Sequence, residues 1–418
     1  MKVLQINSHY NQGGAARIAA YIHRELLDSG VDSYVAYGRG IKTDAPQTFR
    51  FDTTPEIYLS ALLSRLSGLN GWFNRLATRR LIRFMESWKP DVVHIHALHG
   101  YYVNFPMLFS YINEHQIPCV WTFQDCHAFV GTCGYFFECR RWQKGCGSCP
   151  HVHDYPKSQW FDLTGWMWRE KKRLFTQTEQ KLIVTPSDWL TGEAKRSFFS
   201  KYKCITVRNG IDTTHTFYPR GREACRKKYG YGKKEKLVLG IAVGYQDARK
   251  GAKYIIQLAR DLGGDAKVIL IGWSKKNDAM LEGTDNIVTL PVTADADMLA
   301  EYYSLADVFV IPSLAENYAT TTLEAMSCGT PVVGFAVGGI PEQLTEGKGI
   351  AVEAGDQAAF DAAVKSVLYG EADVLRGDAL SRTVRGENSM QKMVQEYLEI
   401  YRELLQTQVE DAGVEVKR

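Results

Sequence analysis

The sequence predicts two doubly wound α/β domains, and three observations carry that expectation. Short apolar strands alternate with helical stretches along the chain, the order expected of a mostly parallel sheet covered on both faces. A glycine turn, Asn11-Gln12-Gly13-Gly14, links the first strand to the first helix. The length, 418 residues, is too great for one ordinary hydrophobic core.

In the first half, Val3 to Ile6 has the pattern of a buried strand, followed by the glycine turn and a helical run from Arg17 to Leu27. Val31 to Tyr37, Asp91 to His96, Pro118 to Phe123 and Leu182 to Thr185 are the next strands. The second half repeats the order. Lys236 to Val243, Lys267 to Ile271, Ile287 to Leu290, Val308 to Pro312 and Pro331 to Phe335 are strands; Lys253 to Leu262 and Leu323 to Ser327 are helical. The change-over falls near Thr206 to Tyr218, where Asn209-Gly210 marks a turn. Met393, Val394, Tyr397, Leu398, Tyr401 and Leu404 recur at helical spacing in a last helix, about Ser389 to Leu405. The expected domains are residues 1–205, residues 206–388, and a terminal helix and tail, 389–418, packing on the N-terminal domain.

A hydrophobic fraction of 45% and a charged fraction of 23% are those of a globular chain, with disorder expected only from about Gln406 onward. A net charge of +3 without a basic stripe argues against a nucleic-acid partner. No apolar run approaches the ~18 residues of a spanning helix, and no secretory leader is evident, so a cytoplasmic chain is expected, either free or resting at the inner face of the plasma membrane. In that reducing setting, nine cysteines point to free thiols or a metal before disulfides.

The strongest chemical signal is Val310-Ile311-Pro312-Ser313-Leu314-Ala315-Glu316, continued by Asn317-Tyr318-Ala319-Thr320-Thr321-Thr322-Leu323-Glu324. Glu316 lies in a loop after a strand and Glu324 inside a helix. The threonines between them sit near that helix's N-terminus, where backbone N–H groups suit a diphosphate. Carboxylates there can accept from vicinal sugar hydroxyls.

This arrangement resembles the E-x7-E motif of the retaining, GT-B-fold glycosyltransferases of family 4. The resemblance continues through Gly13-Gly14, Pro186-Ser187-Asp188-Trp189-Leu190, Asn209-Gly210-Ile211-Asp212, Arg249-Lys250-Gly251 and Gly338-Gly339-Ile340-Pro341-Glu342. Taken singly, Glu324 reads as a surface helical glutamate, Lys250 as a solvated turn lysine and the glycine pair as a tight turn. The resemblance rests on all of them in this order. It implies two Rossmann-like domains facing across a cleft, with the donor on the C-terminal one. It further implies that Glu316 holds donor sugar hydroxyls, with Asn317 beside it, and that Glu324 holds the ribose. Amides near Thr321, Thr322 and Leu323 would take the diphosphate, Lys250 would neutralise it as it leaves, and Gly14 would let the N-terminal loop approach it. The implied reaction is retaining transfer from a nucleotide sugar, UDP-sugar before GDP-sugar, without a catalytic metal. The implied acceptor is a saccharide or lipid-linked saccharide of bacterial surface polysaccharide synthesis.

Two positions depart from the family pattern. Where many members carry His-Asp, this chain has Gln124-Asp125; His127 is the substitute imidazole or else a loop or core histidine, and Asp125 is the other candidate. Where many members carry Gly-Arg, this chain has Gly244-Tyr245, so that either Arg249 substitutes or the role is lost.

Cys133, Cys139, Cys146 and Cys149 form C-x5-C-x6-C-x2-C inside a cysteine-rich segment, residues 126–153. That set suits a structural tetrahedral zinc, with free thiols or disulfides as the alternatives. Ala61 to Met85 and Trp160 to Phe175 mix leucine and tryptophan with arginine and lysine, which fits an anionic membrane interface or two ordinary packed helices. The rival functions are a nucleotide-sugar epimerase and a non-catalytic donor-binding partner. A hydride-transfer enzyme is disfavoured because no G-x-G-x-x-G follows the first strand.

Overall fold

The computed structural model describes residues 1–411, with side chains through residue 406. The chain divides into two compact units, Met1–Arg208 together with the segment from Met393 onward, and Asn209–Lys392.

The first unit contains β1 (Lys2–Asn7), α1 (Gly14–Asp28), β2 (Asp32–Tyr37), β3 (Thr48–Arg50), α2 (Thr54–Ser67), α3 (Arg75–Trp88), β4 (Val92–Ile95), α4 (Phe105–Glu114), β5 (Cys119–Thr122), α5 (Thr164–Phe175), β6 (Lys181–Thr185), α6 (Asp188–Lys195) and β7 (Lys203–Thr206). Its seven strands are all parallel in the order β3-β2-β1-β4-β5-β6-β7. β1, β4, β5 and β6 are buried along almost their whole length because they are covered on both faces. The order reverses between β1 and β4. In doubly wound sheets that switch point opens a crevice beyond the carboxyl ends of the strands.

The second unit contains α7 (Arg222–Lys228), β8 (Leu237–Ile241), α8 (Ala252–Leu262), β9 (Lys267–Ile271), β10 (Ile287–Leu290), α9 (Ala296–Leu305), β11 (Val308–Ile311), α10 (Thr320–Ser327), β12 (Val332–Phe335), α11 (Ile340–Gln343), β13 (Gly349–Val352), α12 (Gln357–Tyr369) and α13 (Gly377–Asn388). Its six parallel strands run β10-β9-β8-β11-β12-β13 and reverse between β8 and β11. Two doubly wound parallel sheets, as expected from the alternation in the sequence, are a GT-B architecture.

α14 (Met390–Asp411) leaves the second unit and completes the first. Its buried face enters a hydrogen-bonded network under the first sheet. Tyr401 Oη lies 2.7 Å from His94 Nδ1, His94 Nε2 lies 2.8 Å from Thr122 Oγ1, and Tyr397 Oη lies 2.8 Å from the same threonine. All four side chains are buried, so each polar tip finds its partner inside the core. The helix extends past Gln406, where disorder was expected; the tail beyond Asp411 lies outside the described residues.

Candidate functional site

In the second unit the chemistry gathers at the switch point. After β8 the chain turns through Asp247, whose carboxylate accepts from the Arg249 N–H at 2.9 Å, and reaches Arg249-Lys250-Gly251. After β11 it runs Pro312 to Glu316. The two loops are joined where the Leu314 N–H donates to the Arg249 carbonyl at 2.8 Å. Gly251 lies against Pro312 with φ +70°, and a Cβ there would stand 1.9 Å from the Pro312 carbonyl oxygen.

These loops place Lys250 Nζ 2.5 Å from Glu316 Oε1, with Arg249 Nη1 3.4 Å from the same oxygen. Glu316 is buried. Burial alone would raise its pKa, but the charges of Lys250 and then Arg249, with hydrogen bonds from Lys250 and Ser313, hold the carboxyl below its ordinary 4.5. Glu316 is therefore an anion at neutral pH, and the two cations are held in place by it. Behind it, Gly338 adopts φ +55°, and a Cβ there would meet the Glu316 carbonyl oxygen at 1.8 Å. The Gly339 N–H donates to the Asn317 carbonyl at 2.7 Å.

α10 begins at Thr320, three residues before the expected Leu323, so all three threonines lie in its first turn. Ala319 at the N-cap has no side-chain oxygen with which to cap that turn. Thr321 is half-buried, whereas Thr322 and Leu323 are fully buried. Glu324 is a buried residue, not a surface one. Its Oε2 accepts from Tyr303 of α9 at 2.9 Å. Tyr245, at the position of the family arginine, is buried against Trp273 with ring centroids 5.6 Å apart and belongs to the core. Arg249 is the guanidinium beside Glu316.

In the first unit a polar cluster gathers beyond the carboxyl ends of the strands. Asp125, after β5, meets His99, after β4: His99 Nε2 lies 2.8 Å from Asp125 Oδ2. Burial would raise the Asp125 pKa, but the charge and hydrogen bond of His99, the His127 N–H and the Lys171 charge hold it below 3.8. His9, after β1, is lowered to about 4 by burial and by the Arg39 and His99 charges, so its imidazole is neutral at pH 7. Tyr155 Oη stands 3.5 Å from His99 Nδ1. The imidazole beside Asp125 is that of His99 and not the expected His127. His127 takes the core role: it is buried, Asn70 Nδ2 lies 3.1 Å from its Nε2, and burial with the Lys171 charge drives its pKa far down. His99 carried no sequence signal beyond its place three residues past a predicted strand. In the first turn Asn11 at +53° and Gly13 at +86° adopt positive φ, while Gly14 opens α1.

Residues 222–379 match the family model described as Glycosyl transferases group 1, and residues 12–215 match Glycosyltransferase Family 4. The chain belongs to the family 4 glycosyltransferases. This family 4 transferase is 26% identical over 423 residues to WcaC of Escherichia coli K12, named as a colanic acid biosynthesis glycosyl transferase, covering 97% of this chain and all of that one. Among solved structures it resembles sucrose-phosphate synthase from Thermosynechococcus elongatus, with a TM-score of 0.74, 17% identity and coverage of 97% and 99%. It also resembles Anabaena Alr3699/HepE in complex with UDP-glucose, with a TM-score of 0.67, 14% identity and coverage of 96% and 100%.

The cysteine segment of this glycosyltransferase shows the free-thiol alternative. Among the described residues no group of three or more histidine, cysteine or acidic side chains is arranged to hold a metal, so nothing here supports the zinc alternative for Cys133, Cys139, Cys146 and Cys149. All nine cysteines are free thiols. Burial and its neighbouring thiols push Cys146 up to about 11, offset in part by the Gly131 N–H and Lys171, which leaves it protonated at neutral pH. Aromatic packing closes the segment instead: Trp142 lies 4.9 Å from Phe129 and 5.1 Å from Phe136, centroid to centroid. Lys171, fully buried on α5, ties the loop from within by donating to the His127 carbonyl at 2.7 Å and the Val130 carbonyl at 3.1 Å.

Proposed function

We propose that this transferase moves a sugar from a nucleoside-diphosphate donor to a saccharide acceptor with retention of configuration. A UDP-sugar is the favoured donor, and a lipid-linked saccharide of bacterial surface polysaccharide synthesis is the favoured acceptor. The observation that carries the reading is the Lys250–Glu316 pair at the switch point, beside the loop that leads into the uncapped start of α10. A cation and a helix N-terminus suit a leaving diphosphate, and a carboxylate suits sugar hydroxyls. A relative covering 97% of the chain is named for colanic acid biosynthesis, and one structural neighbour was solved with UDP-glucose.

In the proposed step the bond from the anomeric carbon to the phosphate oxygen breaks, and the diphosphate keeps the electron pair. The acceptor oxygen bonds to the same face of the sugar, and its proton passes to the departing phosphate. This route needs no protein nucleophile. Charge-assisted hydrogen bonds from Lys250 and the α10 amides are worth ~1.5–3 kcal/mol each, and the part that grows toward the transition state accelerates the reaction. Glu316 accepts from donor sugar hydroxyls and fixes Lys250. Glu324, already bonded to Tyr303, offers the ribose a carboxylate oxygen. In the first unit the Asp125 carboxylate orients the His99 imidazole to hold a substrate hydroxyl.

The test is a panel of UDP- and GDP-sugars with saccharide acceptors, following nucleotide release and product mass. Acceptor-dependent release that is abolished by Lys250→Ala and Glu316→Ala supports transfer. A rearranged sugar formed without acceptor would instead identify an epimerase, and donor binding with no turnover a binding partner.

A further inference from the structure

α2 is inside out. Its buried face consists of Ile57, Ser60, Ala61 and Ser64, while Tyr58 (72% exposed), Leu59 (57%), Leu62 (54%) and Leu63 (37%) form a stripe facing solvent. An ordinary surface helix places serine outward and leucine inward. The stripe continues beyond the helix. The Gln159 N–H donates to the Arg65 carbonyl at 2.6 Å, which sets Trp160 (69% exposed) and Phe161 (55%) beside the end of α2. The exposed Trp166 of α5 lies 5.2 Å from Trp72 in the α2–α3 connection.

The charge around this surface has one sign. From Thr54 to Arg83 there are five arginines against one glutamate, and that glutamate, Glu56, is taken by Arg80. Arg75, Arg79 and Arg83 lie along one exposed face of α3, next to the exposed Leu76; Arg65 is exposed on α2, and Lys157 is exposed three residues before Trp160. Leucine with tryptophan and tyrosine among cations that, Arg80 apart, have no acidic partner among the described residues suits the boundary between acyl chains and anionic headgroups. A second copy of the chain would bring the same positive charge against it.

We propose that α2, α3 and the Trp160–Phe161 loop form a docking surface for an anionic lipid bilayer. Its residues belong to the first unit alone and are separate from Lys250 and Glu316, so the surface stands or falls independently of the transfer reaction. A lipid-bound enzyme would search for a lipid-linked acceptor in two dimensions, and in that respect the proposal extends the acceptor assigned above.

The full chain should float with vesicles of phosphatidylcholine and phosphatidylglycerol in equal parts and not with phosphatidylcholine alone, and added salt should release it. Leu59→Gln with Leu62→Gln, and separately Arg75→Gln with Arg79→Gln and Arg83→Gln, should weaken flotation, the arginine set by on the order of a hundredfold. Because these side chains face solvent, melting temperatures should stay near that of the unaltered chain. Lys250→Ala should float normally while losing transfer. No flotation of the unaltered chain on anionic vesicles, or equal and salt-insensitive flotation on neutral ones, overturns the proposal. So does a soluble dimer that the leucine variant converts to monomer without any change in vesicle binding.

Discussion

Lys250 Nζ and Glu316 Oε1 stand 2.5 Å apart although the two residues are separated by 66 positions in the chain. The pair joins two loops that leave neighbouring parallel strands. Lys250→Ala is expected to lower kcat for sugar transfer by about a hundredfold or more, as removal of a charge-stabilising donor does elsewhere. Glu316→Gln should lower donor affinity and also release Lys250 and Arg249. Because each residue acts through the other, the double variant should be no worse than the poorer single one, whereas independent contributions would add in free energy. Steady-state kinetics with the best donor decide.

His99 and His127 should respond in opposite ways. His99→Gln is expected to cut transfer by about tenfold or more through loss of an oriented substrate contact, with little change in melting temperature, because the ring is part-exposed. His127→Gln disturbs a buried imidazole held near Asn70 and Lys171, so it should destabilise the fold by about 1–3 kcal/mol. Equal activity losses with equal stability in both variants would mean that the roles are misassigned. Activity and urea unfolding measured side by side make the distinction.

Lys171 should leave a signature in the pH dependence of stability. Burial takes its ammonium from 10.5 down to about 7, although Cys133, Cys146 and Asp125 pull the other way. Between these two values the unfolded chain binds a proton at this site that the folded chain does not. Stability therefore rises with pH across the window through this group, and its full penalty applies below about pH 7. Relative to Lys171→Met, the unaltered chain should gain up to about 1.4 kcal/mol per pH unit between pH 7 and 10. A flat difference in denaturation midpoints would contradict the assignment.

Gly251 and Gly338 combine positive φ with a carbonyl oxygen within 2 Å of where a Cβ would sit, at 1.9 and 1.8 Å. Gly251→Ala and Gly338→Ala should each cost about 2–4 kcal/mol and shift the Glu316 loop, weakening donor binding in the same variants. Thermal unfolding with and without a nucleotide donor would register both effects. Gly264→Ala is the control, because nothing lies within 4 Å of a Cβ there.

Tyr401→Phe removes a hydroxyl from a closed network and leaves His94 Nδ1 without that bond. A cost of about 1–3 kcal/mol is expected, read from unfolding of the first unit followed by its tryptophan fluorescence. No change would mean that α14 docks through its apolar face alone.

Most of the strands legible in the sequence are buried along their length, and β10, a half-exposed edge strand, was legible because Ile287, Val288 and Leu290 keep it apolar. β3, β7 and β13 escaped notice because they are short edge strands, half-exposed along most of their length. The glutamates and Lys250 were legible because one motif carries them. His99 was not, because its meaning lies in a contact with Asp125 that no spacing encodes. Tyr245 looked like a lost site residue but is a core residue packed on Trp273. The four cysteines suggested a metal from spacing alone, whereas Trp142 and its aromatic neighbours close that segment.

The first unit is assembled from both ends of the chain, since the segment from Met393 onward belongs to it although the second unit intervenes. During synthesis, Tyr397 and Tyr401 leave the ribosome only after the second unit has been made. Until then His94 and Thr122 face a vacant groove. The second unit is therefore free to fold while the chain is still being made, and the first can lock only once translation is nearly over. A ribosome stalled anywhere before Met393 releases a fragment whose N-terminal half remains open to proteases.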